Sequence, residues 1–234
     1  MTASDAPELT PPDNDQPSAD NVTSTKWLKP VRWRTFPRDF LVIQIGFAFF
    51  ALAIAFLIRS NLGTSPWVVL EMAFINYIPL TPGQSGILTG AMVLLLALAL
   101  REPVGWGTLG NIICIGLWED VWLGLEKLLR DQNDLPGQVL YLVLSVLVMA
   151  GATAIYIGVN AGAGPRDSLM IAVARATGLS VRVARAGIEI AVVTSGWLLG
   201  GPVGIGTLVF ALAIGPAVQT AFRIFKVGAQ HTAN

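Results

Sequence analysis

Glu119 and Asp120 stand side by side deep in an apolar stretch, where acids are costly and therefore informative. An ionised side chain at the centre of a membrane helix costs about 2.5–3.5 kcal/mol on insertion scales. Consecutive helical positions differ by about 100°, so the two acids cannot both face lipid cheaply. One reading is a proton- or cation-binding acid pointing into a cavity. The other is a helix that ends near Trp122 and leaves both acids at the outer interface. The second chemical feature is a pair of matching loops, Asn61-Leu-Gly-Thr-Ser-Pro66 and Asn160-Ala-Gly-Ala-Gly-Pro165, the latter followed at once by Arg166 and Asp167. A helix N-terminus presents free N–H groups and a positive dipole end, which Asp167 could simply cap. Alternatively, the two loops meet, and the amides of Asn61 and Asn160 join Arg166 and Asp167 in a polar site for a small solute or ion. Glu71 raises the same question one repeat earlier. Glu189, one turn after Arg185, reads as its ion-pair partner.

Other chemistries lack their residues. There is no H-E-x-x-H, P-loop or C-x-x-C pattern, and the single histidine, His231, lies in a polar tail. The pairs Gly105-x-Gly107 and Gly204-x-Gly206 lack the third glycine of a dinucleotide fingerprint and read as tight turns into helices. A lone cysteine, Cys114, excludes an internal disulfide framework and a cysteine zinc site. No catalytic residue, metal site or cofactor is expected, and an enzyme is the least favoured class. Fifteen Lys and Arg balance fifteen Asp and Glu, so no basic field points to nucleic acid.

The elements that position these residues follow from where charges are missing. The chain is 53% hydrophobic and 13% charged, about half the usual charged share. Its uncharged stretches supply six candidate spans, at 40–58, 83–100, 106–125, 138–159, 183–200 and 204–224, each near the 20 or so residues a bilayer requires. Helices are expected throughout, because unpaired backbone groups in lipid cost several kcal/mol each. Residues 1–25 are acidic and proline-bearing and read as a disordered tail. Residues 26–39 interleave Lys26, Lys29, Arg32, Arg34 and Arg38 with Trp27 and Trp33, the pattern of a juxtamembrane anchor. The transmembrane domain runs over 40–226, and 227–234 form a C-terminal tail.

A shift of 99 residues aligns the chain with itself. Between Asn61 and Gly116, 16 of 56 positions are identical without a gap, including six of seven in Pro103-Val-Gly-Trp-Gly-Thr-Leu109 against Pro202-Val-Gly-Ile-Gly-Thr-Leu208. Two internal repeats, about 40–125 and 138–224, are the expectation. The segments Pro66–Ile78 and Pro165–Thr177 are too short to cross comfortably and suit half-helices or re-entrant elements. Three spans per repeat would invert one half relative to the other, a plan of transporters with broken helices. Charge bias puts both termini in the cytoplasm whether the spans number six or eight. The patterns Ala51-x-x-x-Ala55 and Ala150-x-x-x-Ala154 let backbones approach, by default within the chain and otherwise toward a partner subunit.

These motifs resemble the YczE/YyaS/YitT-like family of bacterial integral membrane proteins, most closely its YczE branch. The resemblance covers about residues 40–226 and rests on Asn61-Leu-Gly-Thr-Ser-Pro-Trp67, Gly162-Ala-Gly-Pro-Arg-Asp167-Ser-Leu-Met170, Ser180-Val-Arg-Val183 and Gly201-Pro-Val-Gly-Ile-Gly-Thr-Leu208. Relatives tend to carry an acid straight after the Pro-Trp pair, where this chain has Val68. The resemblance implies a multi-pass protein of the bacterial cytoplasmic membrane and no defined activity. The expected fold is therefore all-α, a polytopic helical bundle in the lipid bilayer. The leading function is transport of a small solute or ion. The rivals are a membrane-embedded binding subunit with a partner, a homo-oligomer among them, and a structural or assembly protein.

Overall fold

A computed structural model describes residues 35–102, 105–159, 164–225 and 227. The acidic tail, the basic stretch before Thr35, Asn160 and residues 228–234 lie outside the described residues. Eight helices follow one another: α1 (Phe36–Arg59), α2 (Pro66–Ile75), α3 (Pro82–Ala99), α4 (Trp106–Gly124), α5 (Leu135–Gly158), α6 (Pro165–Thr177), α7 (Val181–Leu198) and α8 (Ile205–Ile224). No strand occurs among the described residues. Each of the first four helices begins 99 residues before one of the last four.

Local chemistry sets these boundaries. Proline occupies the first turn of α1, α2, α3, α5 and α6, where its fixed φ suits the helix and its missing N–H costs nothing. Thr81 caps α3 by accepting from Gln84 N at 3.2 Å, while its own N–H donates to Gln84 Oε1 at 3.1 Å. Asp134 and Ser180 cap α5 and α7 in the same sense. The left-handed Gly178 ends α6.

Helices α1, α3, α5 and α8 are long and apolar enough to cross a membrane. Helices α4 and α7 have comparable length but carry Asn111, Glu119 and Asp120, and Arg182, Arg185 and Glu189, respectively. The bundle is built around α1 against α5, with α4 on α1 and α8 on α5. Helix α2 packs on α7, and α3 on α6. Phe47 and Tyr156 meet at 5.5 Å between ring centroids, and Ala51, Ala53 and Leu57 are fully buried beside them. Ala150 and Ala154 pack on Ala221 of α8, so this small-residue pattern serves packing within the chain.

The two halves differ most at one contact. Helix α3 lies along α4, whereas α7 and α8 share no comparable packing among the described residues. The α3–α4 crossing is made by glycines. A Cβ on Gly83 would stand 1.9 Å from the Gly116 carbonyl oxygen, and one on Gly116 would stand 2.5 Å from that of Gly83. Gly215, 99 residues after Gly116, has nothing within 4 Å of its Cβ position. Gly83→Ala should therefore push α3 off α4 and cost at least the ~1–3 kcal/mol typical of overpacking, because the obstructing atom is backbone. Gly187→Ala, in open space on α7, should be neutral or slightly stabilising. Unfolding temperatures of the two purified variants check this; equal stability would refute the close crossing.

Candidate functional site

A cavity of about 490 Å³ lies between the halves and takes wall residues from all eight helices. Two buried acids face it from the first half. Glu71 of α2 and Glu119 of α4 are each 2% exposed, and both carboxylates lie within 4 Å of the Cβ position of Gly86 on α3. A side chain at that position would meet both. Arg166, in the first turn of α6, donates from Nη2 to Glu71 Oε1, and its guanidinium sits over Trp67, 5.2 Å from the ring centroid. That position satisfies a charge and a π-face at once. Glu119 has no hydrogen bond or ion pair among the described residues, although it lines the cavity.

From the second half come Asp167, Arg185, Glu189 and Tyr156. Arg185 Nε donates to Glu189 Oε1 at 3.0 Å, the one-turn pair their spacing implies. Asp167 occupies the third position of α6, whose N-cap is Gly164, with no side-chain capping bond. Its Oδ2 and the Oδ1 of Asn111 each lie 3.7 Å from the Cβ position of Gly164, so α4 and α6 bring a carboxylate and an amide to one corner. Tyr156 is 7% exposed, and its hydroxyl has no partner among the described residues.

The candidate residues thus part company. Arg166, Asp167 and Glu119 share the cavity, and Glu71 joins them. Asp120 turns away: it accepts from Thr81 Oγ1 at 2.5 Å and from Gly83 N at 2.8 Å, tying the start of α3 to α4. Asn61 is exposed and donates from Nδ2 to the Gln132 carbonyl at 3.2 Å, away from the cavity lining. The sequence raises Glu71 as a question beside Asp167 but does not single out Tyr156, Asn111 or Trp67 as site residues. The usable signal for Asn111 and Glu71 was a polar side chain inside an apolar helix. The aromatic residues carried none. No group of three His, Cys, Asp or Glu side chains is placed to hold a metal among the described residues.

The model of a family of unknown function, DUF6198, matches residues 37–223. The chain belongs to this family. It is 32% identical over 204 residues to an uncharacterized Haemophilus influenzae protein, covering 87% of this chain and 92% of that one. It is 30% identical over 187 residues to the uncharacterized membrane protein YczE of Bacillus subtilis, covering 79% and 82%. Identity to YyaS of the same organism is 26% over 171 residues, covering 72% and 85%. YczE is thus the more similar of the two Bacillus relatives, in keeping with the motifs that suggested it. The DUF6198 match includes every described cavity residue named above. No solved structure matches the chain.

Proposed function

We propose that this chain is a multi-pass protein of the cytoplasmic membrane that carries a small solute or ion through the cavity between its halves. The observation that carries the proposal is Glu119, a buried carboxylate without a partner, facing a cavity that also holds Asp167 and the Tyr156 hydroxyl. Polar and acidic groups taken out of water are expensive unless paired, so a protein that keeps such groups facing a common space keeps them for something that enters it. Four long apolar helices and the similarity to YczE, a membrane protein by name, support the location.

Two inverted repeats, each with three spans and a short half-helix, are the architecture that this reading uses. Helix starts at a constant offset favour it. So does the contact of Trp67 with Arg166, since those positions are 99 apart and equivalent positions touch where a two-fold axis passes between halves. With both termini inside, the α3–α4 seal lies toward the outside, and the separation of α7 from α8 opens the cavity toward the cytoplasm.

Asp167→Asn tests the site. It should abolish uptake in cells or proteoliposomes while leaving expression and folding near normal; full activity would remove the transport site from this position. Cysteines at Pro79 and Gly178 test the topology. Six spans make the first reactive to an impermeant thiol reagent from outside and the second only from the cytoplasm. Both reacting from the cytoplasm would support eight spans and end the inversion.

A further inference from the structure

We infer that the solute is a small organic cation, a protonated amine or quaternary ammonium, held between Glu119 and Asp167 against aromatic side chains. This rests on the cavity being the solute site proposed above.

The cavity wall carries four carboxylates and two guanidiniums. Arg166 is committed to Glu71 and Arg185 to Glu189. Neither Glu119 nor Asp167 has an ion-pair partner among the described residues, so the cavity wall carries two acids more than it carries cations. An anion entering it would find both cations already paired and Arg166 additionally stacked on Trp67. A neutral solute would leave that excess of acids without a counter-charge.

The choice between a metal ion and an organic cation follows from the walls. No three metal-ligating side chains converge among the described residues, and hard cations take six or more oxygen ligands. About 490 Å³ is far more room than one ion needs. It falls within the ~300–1,000 Å³ typical of small-molecule sites. Phe50, Tyr156 and Phe210 line the same space, and aromatic faces attract ammonium groups at distances up to about 6 Å. The Tyr156 hydroxyl, without a hydrogen bond of its own among the described residues, belongs to a residue lining the cavity and supplies an acceptor for an N–H donor. Unpaired acids, aromatic walls and small-molecule volume together specify an ammonium carrying some apolar bulk.

The test uses the full-length protein in detergent, with phenethylammonium, tetramethylammonium, benzoate and sodium chlorides or salts as probes. Titration calorimetry and thermal unfolding are the readouts. Phenethylammonium should bind saturably and raise the unfolding temperature, with tetramethylammonium weaker. Glu119→Gln and Asp167→Asn should each weaken the binding at least tenfold, whereas Glu126→Gln, an exposed acid, should bind as the parent does. If one acid variant fails to fold, the other carries the test. Preferential binding of benzoate, equal stabilisation by sodium, no binding of either ammonium, or ammonium binding unchanged in the folded acid variants would each overturn the assignment. The carrier reading is tested separately by Asn111→Cys in a Cys114→Ser background. Reaction of this cysteine with a hydrophilic thiol reagent keeps the water-accessible cavity even if the cation claim falls. An inert Asn111→Cys in the folded protein would remove the cavity itself.

Discussion

Replacing Arg166, whose side chain is 27% exposed, with methionine is expected to cost the fold up to about 3–5 kcal/mol, the upper value being the usual result of stripping one partner from a fully buried ion pair. Glu71 would keep its carboxylate at 3% side-chain exposure with no other cation paired to it among the described residues. It cannot turn away into solvent. Its own backbone carbonyl is tied to Ser85 Oγ at 2.6 Å, and its helix is packed between α3 and α7. Arg166→Lys should lie between the two, since it keeps the charge but loses the planar fork and the stacking on Trp67. The double variant Arg166→Met with Glu71→Leu should recover most of the loss, because removing both charges also removes the desolvation cost. Unfolding of the purified variants measures the series. A single variant within about 0.5 kcal/mol of the parent, or a double variant no better than the single, would show that the pair does not hold the halves together. Transport should fail in both methionine variants, because the pair shapes the wall in which Asp167 and Glu119 stand.

That pair was not legible in the chain, and the reason is geometric. Glu71 and Arg166 are 95 residues apart, and the internal alignment sets Glu71 opposite Met170 and Arg166 opposite Trp67. A repeat reveals equivalent positions, whereas an ion pair between halves joins inequivalent ones. The helices themselves were legible, because proline, glycine and threonine mark their starts and the missing charges mark their lengths. The split between Glu119 and Asp120 was half legible. Their angular separation dictated that they face different surroundings, but only the crossing of α3 over α4 decides that Asp120 meets the start of α3 and Glu119 the cavity. Asn61 illustrates the opposite case. It adopts φ 55, and Gly63, two residues on, adopts φ 98. Asparagine and glycine are the residues that tolerate this left-handed region best. The Asn-x-Gly pattern therefore has a backbone reason at Asn61, and spacing alone does not separate that reason from a ligand-binding one.

The difference between the two halves leads to the second large effect. In the first half, Thr81 and Asp120 are joined across α3 and α4 at 2.5 Å. Their counterparts 99 residues later are Ser180, the N-cap of α7, and Gln219 of α8, and these two helices share no comparable packing among the described residues. Ser180 only caps its own helix, and Gln219 lines the cavity. If solute crosses by exchange of the two arrangements, α7 must come onto α8 as α3 now lies on α4, while α3 and α4 part. Small residues already clear the way, with Gly215 in open space and Ala211 standing where the first half has Ile112. A disulfide requires Cα atoms within about 7 Å, so it forms between positions 180 and 219 only when that end closes. In a Cys114→Ser background, Ser180→Cys with Gln219→Cys should crosslink under oxidant in the membrane. Loss of the gel shift given by maleimide-polyethylene glycol scores the crosslink. It should lower transport more than tenfold, with recovery on reduction. The same treatment of Thr81→Cys with Asp120→Cys should trap the arrangement seen here and stop transport equally. A 180–219 pair that never oxidises in actively transporting protein, or one that transports at full rate once oxidised, would mean that the gap between α7 and α8 is permanent. The solute would then pass by a route that needs no exchange of the halves.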